Sequence, residues 1–102
     1  MIRLTGLLFA LALPLGQAEE PPVRVVVMDP LALPLSCSCV DGVGQRRYDK
    51  LAAHLEQTTG RRFRFIYEES LDLAQRRIRS KPDFIIGKDA MVRFDAQRLK
   101  LP

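Results

Sequence analysis

The sequence predicts an α/β fold: a three-stranded parallel sheet in the order 2-1-3, with helices on both faces. Three observations predict it. Apolar runs with little strict alternation occur at Val23–Met28 and Asp83–Ile86, with a more mixed run at Arg62–Tyr67; such runs fit strands covered on both sides. Segments with helical apolar spacing separate and follow these runs, giving the order βαβαβα, which implies parallel strands and right-handed crossovers. With the first strand central, the two crossovers run in opposite directions and a topological switch point opens between the first and third strands.

In chain order, residues 1–18 read as a secretory signal. Arg3 supplies the positive end, Leu4–Leu15 the apolar run, and Gly16-Gln17-Ala18 the small residues before a cut at Glu19. The run is too short to span a bilayer comfortably, so no membrane span is expected after cleavage and the destination is the periplasm or the exterior. Asp29-Pro30 ends the first strand. Residues 31–44 form a long loop whose Pro34, Gly42 and Gly44 deny it regular structure, while its apolar content predicts that it packs over something. Gln45–Thr59 reads as a helix with Tyr48, Leu51, Ala52 and Leu55 on one face. Gly60 is its stop, and His54 lies on a solvent-facing flank. Arg62 and Arg64 alternate with apolar neighbours, which places the second strand near a sheet edge. Ser70 is placed to cap a helix over Leu71–Ser80, with Leu71, Ala74 and Ile78 facing the core and Pro82 as its stop. After the third strand, Gly87 lets the backbone turn sharply. Asp89 is placed to cap a helix over Ala90–Leu99, with Met91 and Phe94 facing inward.

The chain has 102 residues, enough for one domain, and a formal net charge of +4. Its arginines fall in three groups, Arg46/Arg47, Arg61/Arg62/Arg64 and Arg76/Arg77/Arg79, with acidic residues among them. These read as solvated faces, and with an export signal they argue against nucleic acid as a partner. Export permits disulfides. Cys37 and Cys39 fit three states: a mutual or external bridge, a thiol or metal role for soft ions, or buried free thiols. A full metal site would need ligands that nothing close in sequence supplies. Gly42-Val43-Gly44 fails as a dinucleotide-binding motif, because Arg47 stands where the third glycine belongs and a loop, not a strand, precedes it. No motif orients Cys37 or Cys39 with His54 for nucleophilic catalysis, so neither an enzyme nor a cofactor is expected.

The predicted topology gathers Asp29, the cysteine loop and Gly87-Lys88-Asp89 at the carboxyl ends of the strands, with Ser70 at the end of the outer one. Helix N-termini there suit an anion, and Lys88 adds a full positive charge. Asp29, Glu69 and Asp89 would repel that anion unless paired or turned away.

Several stretches carry a family likeness. They are Tyr48-Asp49-Lys50-Leu51-Ala52-Ala53-His54-Leu55 leading to Thr59-Gly60, the strand Arg64-Phe65-Ile66-Tyr67, the turn Glu69-Ser70-Leu71, and the corner Asp83-Phe84-Ile85-Ile86-Gly87. Together they resemble the first lobe of type II periplasmic solute-binding proteins of the phosphonate/phosphite (PhnD-like) branch. The resemblance implies an exported protein, residues 19–102 forming the N-terminal part of lobe 1 in a partial chain. It implies capture of a small oxyanion such as phosphonate, phosphite or phosphate for an ABC transporter permease. It also implies ligand contacts near Asp29, Ser70, Gly87, Lys88 and Asp89. Lys88 and Asp89 follow the corner glycine where relatives commonly carry Pro and, soon after, Ser or Thr, and relatives lack the Cys-x-Cys in the first loop. Two other readings are an exported thiol- or metal-handling module using Cys37 and Cys39, and a ligand-sensing domain of a signalling protein.

Overall fold

In the computed structural model, residues 20–102 are described; the signal assigned to residues 1–18 lies outside the described residues. Consecutive β-branched side chains are stiff at χ1 and suit a pleated surface, and Val23–Val27 forms the central strand β1. Phe63–Tyr67 (β2) and Phe84–Ile86 (β3) flank it in parallel, giving the order β2-β1-β3. Three helices complete the fold: α1 (Tyr48–Thr59), α2 (Leu71–Ile78) and α3 (Asp89–Arg98). This is the predicted three-stranded α/β architecture. Among the described residues no helix is long and apolar enough to cross a membrane.

The register assigns side chains to faces. Val26 lies level with Ile66 and Ile85. Leu71, Ala74 and Ile78 of α2 pack over that row with Met28, joined by Leu99 and Leu101 from the end of the chain. Val25 and Val27 lie level with Phe65 and Tyr67 on one side and with Phe84 and Ile86 on the other. Tyr48 at the start of α1 and the buried Ala32 pack on this second face. The cover there is incomplete. No residue of α1 is fully buried, and an apolar trough of about 360 Å³ runs between Leu51 and Leu55 of α1 and Phe63, Phe65, Phe84 and Ile86 of the sheet. Phe84 is 61% exposed.

Several boundaries have local causes that differ from the expected ones. The first helix begins at Tyr48 rather than Gln45 because Arg46 is held in an extended bridge with Ala32. Gly60 does stop it, at φ 70° with its N–H on the Glu56 carbonyl (2.9 Å). The second helix ends before Pro82 is reached: Arg79 takes the left-handed conformation (φ 54°) and donates to the Gln75 carbonyl.

The third helix corrects two expectations. Met91 and Phe94 do not face inward; they are 50% and 63% exposed. Val92, Asp95 and Leu99 form the covered stripe, and Asp95 is fully buried. Nor does Asp89 cap the helix. Lys88 occupies the cap position without a side-chain bond, and Asp89 in the first turn pairs with Arg93 (2.8 Å). These packing differences give a sharp contrast in stability. Val26→Ala should cost roughly 2 kcal/mol in urea unfolding, whereas Phe84→Ser should change it by less than about 1 kcal/mol.

Candidate functional site

The carboxyl end of β1 is built around Asp29. A carboxylate buried here must be hydrogen-bonded or it would be costly. Asp29 is only 6% exposed, and both oxygens are engaged. Oδ1 accepts from the Leu31 N–H (3.0 Å), and Oδ2 accepts from Arg46 Nη1 (2.8 Å) and the Tyr48 hydroxyl (2.6 Å). Burial pushes the carboxyl pKa up, but the bonds from Tyr48, Leu31 and Arg46, with the Arg46 charge, outweigh it and hold the pKa below its ordinary value. The Tyr48 hydroxyl is raised, by burial first and then by its bond to the carboxylate.

The same residues close the neck of the 31–46 loop. Arg46 N–H donates to the Leu31 carbonyl (2.7 Å), Leu33 N–H to the Arg46 carbonyl (3.0 Å), and Ala32 N–H to the Asp29 carbonyl (2.9 Å). The loop is thus ordered, as its apolar content predicts. A single 3₁₀ turn, Ser38–Val40, sits at its tip, where Cys37 and Cys39 are bonded to each other. Both are exposed, which removes the buried free-thiol state. Gly42-Val43-Gly44 belongs to this tip, with Val43 92% exposed.

Gly87 follows β3 and does not have a positive φ, which corrects the sharp-turn rationale. Its need is space. A Cβ there would lie 3.0 Å from Val92 Cγ2 and 3.3 Å from Met28 Cβ, so glycine lets α3 pack against the end of β1.

Ser70 caps α2, its Oγ accepting from the Leu73 N–H (3.3 Å). The Leu71 N–H is taken by the buried Asp95, Oδ2 at 3.0 Å across from α3. Two of the orphan donors at this helix start are therefore already satisfied, one by a carboxylate. The amides around Ser70, expected to hold a ligand's charge, are largely committed to the fold.

One cavity opens at the predicted switch point. It holds about 300 Å³ and is lined by Met28, Pro30, Leu35, Glu69, Lys88 and Met91. The structure therefore brings Lys88 together with the cysteine loop through Leu35, and Gly87 forms the adjoining backbone. Asp29 lies beside this space but serves the loop neck, Asp89 pairs outward with Arg93, and the cysteines stay at the loop tip. Sequence reasoning missed Arg46 and Tyr48 as partners of Asp29, Asp95 as a cap, and Leu35 and Met91 as cavity walls. The spacing of Val92, Asp95, Ala96 and Leu99 was a usable signal for Asp95. Among the described residues no group of three or more His, Cys, Asp or Glu side chains is placed to hold a metal. No protein-family model, curated protein or solved structure matches the chain significantly.

Removing the Asp29 carboxylate should loosen the loop. Asp29→Ala is expected to lower stability by roughly 2–4 kcal/mol and Tyr48→Phe by about 1 kcal/mol in denaturant unfolding. Because the folded-state pKa of Asp29 is depressed, its contribution is fully present above the ordinary carboxylate value of about 3.9. That contribution is lost as pH falls through the lower folded value. An acid titration of stability should show this loss in the native protein and lack it in Asp29→Asn. Gly87→Ala should cost roughly 1–3 kcal/mol through crowding against Val92 and Met28.

Proposed function

We propose that the chain is an exported solute-binding lobe that captures a small anion at the carboxyl ends of β1 and β3 for delivery to an ABC transporter permease. One observation carries this reading: the cavity at the switch point, with Lys88 on its wall and α3 beginning beside it. In open α/β sheets ligands bind in that crevice. No side chain caps α3, so its first N–H groups and its dipole add to the Lys88 charge. The chemistry is capture without bond-making, and in an intact two-lobed protein it would operate by hinge closure over the site. The likeness of the Tyr48–Gly87 stretches to phosphonate/phosphite-binding proteins supports the same class, and phosphate, phosphite and phosphonates are the first ligands to try.

The exposed Cys37–Cys39 bond favours a second reading, an exported thiol-exchange module. A Cys37→Ser/Cys39→Ser variant separates the two: solute binding survives in the first reading, and all thiol–disulfide exchange activity disappears in the second.

Titration of the full chain with phosphate, phosphite and methylphosphonate, followed by amide NMR shifts, tests the main reading. Shifts should cluster at Met28, Lys88 and Met91, and Lys88→Ala should weaken binding at least about tenfold, the scale expected for losing a charge-assisted bond. Unchanged affinity in that variant would remove Lys88 from the site.

A further inference from the structure

We propose that the cavity is built for a small zwitterion with an apolar spacer, an ω-amino carboxylate by chemical class, rather than for a bare inorganic anion. The inference rests on the solute-binding reading and narrows it. Glu69 and Lys88 line the same cavity. Among the described residues neither side chain makes a hydrogen bond or ion pair, and the two do not pair with each other. The acids around them are engaged elsewhere: Asp29 with Arg46, Glu68 with Arg77, Asp89 with Arg93, and Asp95 with the Leu71 N–H. One cation and one carboxylate thus face a shared space with no partner of their own.

The walls between them are apolar, formed by Met28, Pro30, Leu35 and Met91. Each kind of occupant meets this set differently. An inorganic dianion gains from Lys88 and the start of α3, but Glu69 repels it and the apolar walls gain nothing. A simple amine is attracted to Glu69 and repelled by Lys88. A zwitterion answers every group: its carboxylate faces Lys88 and the first turn of α3, its ammonium faces Glu69, and its methylenes lie on Met28, Leu35 and Met91. A ligand lacking either charge leaves one protein charge unanswered beside the other's partner, which costs affinity.

The test is a titration of the full chain with 4-aminobutyrate, butyrate, butylamine and phosphate, read by NMR shifts. 4-Aminobutyrate should bind at least about tenfold more tightly than butyrate or butylamine, the scale of one added charge-assisted bond. Glu69→Gln should erase that preference, bringing 4-aminobutyrate and butyrate to the same affinity, with an unchanged unfolding midpoint because Glu69 is exposed. Equal affinity for butyrate and 4-aminobutyrate in the native chain, or a preference that survives Glu69→Gln, would overturn the zwitterion and leave anion capture standing. If butyrate, 4-aminobutyrate and phosphate all fail to bind, the solute-binding reading falls and takes this inference with it.

Discussion

A buried carboxylate at the end of the central strand organises the side of the fold where the strands end. Asp29 would be an expensive residue in its position without partners. Its partners come from well along the chain, Arg46 and Tyr48 on the far side of the loop and the start of α1. Satisfying that one group therefore closes the loop, sets where α1 begins, and brings Leu35 over the switch point. A tyrosine placed at the first turn of α1 then does two jobs: its ring packs on the apolar cluster of β1 and Ala32 while its hydroxyl reaches the carboxylate. Such division of an aromatic side chain between an apolar body and a polar tip is characteristic of buried tyrosines.

A second carboxylate repeats this logic on the opposite face of the sheet. Asp95 lies on α3 but completes the start of α2. A capping residue normally precedes its own helix; here the acceptor comes from a neighbouring helix, which locks the two together beside Ile85, Leu99 and Leu101. The fold is thus fastened by one acid on each side of the sheet, with apolar rows between them.

The order of elements and the strand order were legible in the sequence because they follow from periodicity and crossover rules. Val23–Val27 and the Gly60 stop are where local propensity and tertiary structure agree. The inward face of α3 was not legible from its largest apolar side chains. Met91 and Phe94 are large and apolar yet stay exposed, while Asp95, on the stripe of Val92 and Leu99, is buried and accepts from a donor 24 residues away. Asp29 was visible as a residue of the switch point, but its role depends on two partners that only the closed loop brings near. Gly87 was correctly singled out for the wrong reason: the constraint is the closeness of Met28 and Val92, which no local turn rule reveals. Lys88 needed only its position after β3, and it does line the cavity.

The loop from Leu31 to Arg46 is fastened at two places by unlike chemistry. At its tip, the Cys37–Cys39 bond encloses a single intervening residue, so it restricts little of the chain beyond itself. At its root, the fastening is an ionised carboxylate and a ladder of backbone bonds. Reducing agents therefore address the tip and protons address the root. Leu35 stands between these two points, on the cavity wall. Changes of redox poise and of acidity are thus received at separate ends of this loop.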